Sequence, residues 1–246
     1  MARIELRNTN IYLQDGLAGT AAVNDGAGVA ISDLNVDIDT VALNTTITTV
    51  VPVGARFTLA GNPQVYTVTE RTPSDGTGPV TNIVFTPAAV SALVDDGVIT
   101  FLPQRLEIKV GEGDLSWSES REFIYDLDRS RLDTVRQGDD QPISVDMAFT
   151  FEYVTSQSGR PVTPVEALKK IGGASEWVNS ATDPCEPYAV DVYVRHCIPC
   201  GTDQDQDFLM PDFRYESLEY SVADASISVS GQCNATSITS TRSDLC

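Results

Sequence analysis

The sequence predicts a mainly β chain with one short α-helix and a small β-barrel inserted into the larger fold. Three observations carry this expectation. Leu106, Ile108 and Val110 alternate with Glu107 and Lys109, and Ile143, Val145, Met147, Phe149 and Phe151 alternate with polar or small residues. That period of two belongs to strands with one apolar face. Residues 26–104 are rich in Val, Thr, Gly and Ala and break into short strands separated by turns, the texture of a small barrel. Only one segment, around residues 163–171, carries the start and stop signals of a helix.

Taken in chain order, residues 1–25 supply a first strand of the parent fold through Ile4, Leu6, Ile11 and Leu13. Residues 26–104 form the inserted barrel, with strands at 56–60, 65–70, 82–86 and 98–102 and one helical turn near 88–94. The parent fold resumes at residue 105 and runs to 246. Insertions succeed at exposed turns whose ends lie close, so the insert is expected to project outward. Between the strands near 105–110 and 143–151 lies a long excursion carrying Asp126, Asp128, Arg129, Arg131, Asp133, Arg136, Asp139 and Asp140. Connections of this length are functional or disordered. Interleaved charges of both signs suit docking to a second copy of the chain, so these eight residues are the expected inter-subunit set.

After the excursion, Thr163 is placed to cap a helix, Pro164 fits its first position and Glu166 completes a Thr-x-x-Glu box, with Gly172-Gly173 as the stop. Leu168 and Ile171 are expected to cover a sheet. Strands resume at 188–196, 213–222 and 225–230, with Tyr215 and Tyr220 on opposite faces of one of them. The polar tail 234–246 is expected to lie along a neighbouring subunit.

The order of a short first strand, the excursion, a strand ending in Phe151-Glu152-Tyr153-Val154, and a capped helix followed by Trp177 resembles the major tail (tail tube) protein of long-tailed bacteriophages. The residues that carry the likeness are Gly111-Glu112-Gly113-Asp114-Leu115, the run from Leu132-Asp133-Thr134 through Gly138-Asp139-Asp140, and Thr163-Pro164-Val165-Glu166-Ala167-Leu168. The resemblance as a whole covers roughly two-thirds of the chain. The insert is similar to a small β-domain found in various tailed-phage structural proteins. The resemblance implies a β-sandwich or open barrel, a homohexameric ring, rings stacked into a tube in the virion tail, contacts with other tail proteins, and a lumen through which DNA leaves the capsid. It implies no catalytic residues.

Composition is compatible with that role and excludes others. Acids number 35 against 16 lysines and arginines, a net charge of −19, which is the reverse of the basic footprint of a protein that grips DNA or an anionic membrane. A negative wall lets phosphates slide past without sticking; the same excess of acid also keeps a monomer soluble. The N-terminus shows no signal-peptide pattern, and no stretch approaches the length of a bilayer-spanning helix. Synthesis in a cytosol is the expectation.

Enzyme signatures are missing. The single histidine, His196, stands beside Cys197, and no Walker sequence or Gly-x-Ser-x-Gly elbow occurs, so no catalytic activity and no cofactor is expected. Cys185, Cys197, Cys200 and Cys233 are candidate ligands for a structural zinc; buried thiols and a disulfide are the competing readings. Asp203, Asp205 and Asp207 alternate like a calcium loop but lack its glycine and its bidentate glutamate, and a solvated loop is expected instead. The rival functional reading is a carbohydrate-binding or adhesive module of a tail tip or decoration protein, with Trp117 or Trp177 stacked on a sugar.

Overall fold

The computed structural model describes residues 8–23, 40–44, 51–60, 62–72, 82–88, 98–129, 131–150, 154–155, 161–181, 183, 185–198, 205–221, 223 and 225–243. The expected contributions of Ile4 and Leu6 and the helical turn after residue 88 lie outside them. In chain order the strands are β1 Thr9–Gln14, β2 Gly19–Val23, β3 Thr40–Asn44, β4 Arg56–Leu59, β5 Asn62–Thr72, β6 Asn82–Thr86, β7 Val98–Leu102, β8 Arg105–Ile108 and β9 Val110–Ser118. They continue as β10 Phe123–Asp128, β11 Arg131–Gln137, β12 Ile143–Thr150, β13 Val154–Thr155 and β14 Pro161–Val162. The single α-helix among the described residues, α1 Pro164–Lys169, precedes β15 Val190–His196, β16 Asp205–Ser221, β17 Ser226–Cys233 and β18 Thr239–Ser243. The fold is mainly β, and every strand pairing among the described residues is antiparallel.

The large sheet runs β8-β1-β15-β16-β17-β12-β9, with β18 added to β16. Its two outermost members are consecutive pieces of one stretch of chain, separated only by Lys109. β8 pairs with β1 and β9 with β12, so the sheet curls back on itself and shelters most of its backbone edges from free pairing. One apolar residue in two points inward. Ile11, Leu13, Ile143, Val145, Met147, Phe149, Val192, Val194, Ile227 and Val229 meet in a single core.

The helix plugs this core through Ala167, Leu168 and the following Trp177, all buried. Its capping box is complete. The Glu166 amide donates to Thr163 Oγ1 at 3.2 Å and the Thr163 amide donates to Glu166 Oε2 at 2.8 Å, a cap worth about 1 kcal/mol. Lys170 takes the left-handed conformation at φ 54°, which ends the helix one residue before Ile171. Ile171 is therefore swung out and 51% exposed; the expectation that it covers a sheet with Leu168 is wrong, and only Leu168 does so.

Strands β2 to β7 form a closed six-stranded barrel in the order β2-β3-β6-β5-β4-β7. Its own core is built on Phe57, which stacks on Tyr66 at 5.5 Å between ring centroids and meets Phe85 edge-on at 5.3 Å. β2 pairs with β7 and β3 inside this barrel, so the chain crosses from sheet to barrel between residues 14 and 19, earlier than the boundary at 25/26 expected from composition. It crosses back at 103–104.

A buried carboxylate joins the two crossings. Asp15 is fully enclosed; its Oδ1 accepts from the amides of Gln104 at 2.7 Å and Leu17 at 3.2 Å, and its Oδ2 from the amide of Val178 at 3.2 Å and from Gln104 Nε2 at 3.3 Å. Gly16 passes so close to the backbone of Asn179 that a Cβ would lie 2.1 Å from its carbonyl oxygen, so only glycine fits. Beside this junction Glu176 accepts from the Val53 amide at 3.1 Å and faces Arg71 Nη2 at 3.6 Å, and Val178 packs on the barrel core.

Candidate functional site

The excursion between β9 and β12 is a two-stranded ribbon, β10 paired with β11, that joins no larger sheet among the described residues. Its register places Tyr125 opposite Val135 and Leu127 opposite Leu132, with Phe123 opposite Gln137. Between Asp126 and Leu127 the register shifts, leaving Asp133 as the extra residue on β11. That bulge brings Leu132 and Val135, three apart in sequence, onto the same face. Phe123, Tyr125, Leu127, Leu132 and Val135 thus form one continuous apolar face, each residue 50–67% exposed. A lone hairpin is marginal in water, and an apolar strip of this kind on a monomer marks an interaction surface.

The opposite face of the ribbon carries charge, and one ion pair forms within it. Arg136 Nη2 lies 2.7 Å from Asp126 Oδ2, which also accepts from Thr134 Oγ1 at 3.3 Å. Asp128 and Arg131 are register partners across the turn, and Arg129 occupies the turn itself at φ 50°. At the root, Asp139 and Asp140 are exposed, and Asp140 accepts from Gln137 Nε2 at 3.0 Å. All eight charged residues expected to contact another copy therefore lie on or at the root of one ribbon. The sequence reading missed the five apolar residues; the alternation of Phe123, Tyr125 and Leu127 was the available signal.

A second surface is the outward face of β9, β12, β17 and β16. Cross-strand rows of this face read Ser118, Ser144, Gln232 and Arg214; then Ser116, Asp146, Ser230 and Ser217; then Ala148, Ser228 and Glu219. A shallow depression of about 390 Å³ runs along the middle rows. The one cation in these rows among the described residues, Arg214, is held by Glu186 at 2.6 Å. The face therefore offers mainly hydroxyls and carboxylates.

No family model, curated protein or solved structure matches this chain.

The remaining candidates fall elsewhere. Among the proposed zinc ligands, Cys197 is disulfide-bonded, Cys185 is exposed and Cys233 is buried with a free thiol; Cys200 lies outside the described residues. Cys233 pairs with Phe213, which also faces Val190 at the start of β15, whereas Cys197 follows the end of β15. The three described cysteines do not converge on a metal, and burial pushes the Cys233 thiol up to about 12. Trp177, 1% exposed, is a core residue and offers no stacking platform; Trp117 is half-buried against Phe208 with centroids 5.7 Å apart.

Asp205 and Asp207 correct the expected solvated loop. Both lie in β16 and are buried, Asp205 accepting from the Ile198 amide at 2.9 Å and Asp207 from Tyr193 Oη at 2.6 Å and Arg195 Nε at 3.1 Å. The polar tail is also corrected: β18 pairs with β16 of its own chain, Thr239 opposite Leu209 through Ser243 opposite Asp205. Thr and Ser suit an edge strand, and the first half of β16 presents an open edge for them. Finally, a bulge between Tyr215 and Ser217 puts Tyr215 and Tyr220 on one face rather than two, since their partners Gly231 and Ile227 share a face.

Proposed function

We propose that this chain is a self-assembling structural subunit, the major tail tube protein of a long-tailed bacteriophage, whose copies form rings that stack into a conduit for DNA. The observation that carries the reading is the ribbon: five large apolar side chains on one face of an isolated hairpin, with Arg136 and Asp126 of the other face paired to each other. Such an element loses its reason to be ordered unless another surface covers it. In a homo-oligomer that surface belongs to a second copy.

The serine and carboxylate face of β9, β12, β17 and β16 supports the same reading as the wall of the lumen. Phosphates passing along it meet acids and hydroxyls and find no free lysine to hold them. The hexameric count and the position in a virion tail rest on the resemblance in strand order and in the segments quoted above.

Negative-stain images of the purified protein test the proposal. Rings or tubes with an open bore are expected. A population of isolated particles at every concentration would refute it.

A further inference from the structure

The sheet and the barrel have separate cores, and the chain passes between them at residues 14–19 and 103–104. Asp15 clasps both passages through the amides of Leu17 and Gln104. It also holds the amide of Val178, whose side chain packs on the barrel core. A second clasp lies farther along the same contact, where Glu176 accepts from the Val53 amide and faces Arg71.

Asp15 belongs to a group of three carboxylates with no cation among them. Asp191 lies close enough to oppose its ionisation. Asp191 Oδ2 accepts from Gln14 Nε2 at 3.3 Å and its Oδ1 from the Asp212 amide at 2.9 Å, while Asp212 Oδ1 accepts from Ser180 Oγ at 2.9 Å. Among the described residues, no lysine or arginine reaches any of the three; Arg105 of β8 stops at Gln14, donating to its Oε1 at 3.1 Å. The other titratable groups that face the cluster are Tyr188, ahead of β15, and Cys233, at the end of β17. Burial raises the carboxyls of both Asp15 and Asp191 above their ordinary range, so closure is favoured in acid and weakens as pH rises through about 7, the folded value of Asp15.

We infer that Asp15, Asp191 and Asp212 form a proton-controlled latch that holds the barrel against the sheet. With its protons bound the latch is closed. Their loss leaves like charges in an enclosed site. Swinging the barrel out about residues 15–17 and 103–104 admits water to those charges without breaking either core. That opening disturbs fewer contacts than unfolding a core, so it comes first.

Hydrogen exchange of the full chain at pH 5.5 and pH 8.5, corrected for the intrinsic rate, tests the latch. At pH 8.5 the amides of Gln104, Val178 and Val53 are expected to lose protection together, by roughly tenfold or more. Those of Val145 in β12 and Val68 in β5 should hold theirs. Val53 is the discriminating position because it is held by Glu176 and not by Asp15; if it stays closed while Gln104 and Val178 open, the junction merely loosens and the inference is overturned. Loss of protection in the two cores to the same degree, or no change at any of these amides, overturns it as well. In Asp15→Asn the junction amides should exchange equally at the two pH values, and a full pH response there would assign the effect to another group and refute the latch.

Discussion

Replacing Asp15 by alanine is expected to lower the stability of the chain by about 3 kcal/mol or more, because three buried backbone amides and one side-chain amide lose their acceptor together. At this chain length that loss corresponds to a fall of roughly 6–12 °C in melting temperature. Asp15→Asn keeps one acceptor oxygen for Leu17 and Gln104 and strands the Val178 amide, so its loss is expected to be smaller. Scanning calorimetry of the three proteins measures the order wild type, Asn, Ala. Equal melting temperatures for wild type and Asp15→Ala would show that the junction is not held by this carboxylate.

The same residue sets a pH dependence whose sign is fixed. Burial pushes the Asp15 carboxyl up to about 7, its three backbone donors opposing and the nearby Asp191 adding slightly. The folded value lies above the ordinary 3.8. Its contribution to stability is therefore complete below that ordinary value and is lost as pH rises through about 7. Denaturant titrations from pH 4 to pH 8 should show the stability of wild type falling relative to Asp15→Asn. Parallel curves would contradict the account.

The second large effect is on assembly. Leu127 and Leu132 face each other across the ribbon, and changing both to aspartate removes two anchors from any covered interface while placing like charges opposite one another. Each anchor contributes about 1.5 kcal/mol or more when buried, so the concentration needed for assembly should rise roughly a hundredfold or more. The folded core is untouched, and melting should stay within about 0.5 kcal/mol of wild type. Sedimentation velocity measures the result. Arg136→Gln, which breaks only the exposed pair with Asp126, serves as the contrast; such a pair is worth about 0–1 kcal/mol, and assembly should barely change. If Arg136→Gln abolished assembly and the double aspartate variant did not, charge rather than apolar contact would be the adhesive.

Much of the fold was legible because burial and period coincide. The inward residues of β12 and β15, the Thr163 and Glu166 box, and four of the barrel strands could be placed from the chain alone. The misses have physical causes. β2, Gly-Thr-Ala-Ala-Val, has no alternation to read, so the barrel boundary was set too late. β16 begins with Asp205 and Asp207, and a buried acid satisfied by Tyr193 and Arg195 is indistinguishable in sequence from a solvated one. Two bulges broke the period of two: one aligned Leu132 with Val135, the other aligned Tyr215 with Tyr220. The site was found as a region through its charges, while its apolar face was hidden by the bulge that creates it. Ile171 was misplaced for a local reason, since a one-residue change in where the helix stops turns a core position into an exposed one.

An electron cryo-microscopy reconstruction of the assembled protein bears most directly on the central claim. The account predicts that Phe123, Tyr125, Leu127, Leu132 and Val135 are covered by a neighbouring copy, and that Ser116, Asp146, Ser230 and Glu219 face the bore. An assembly whose ribbon lies bare in solvent, or whose bore is lined by the inserted barrel, would contradict it.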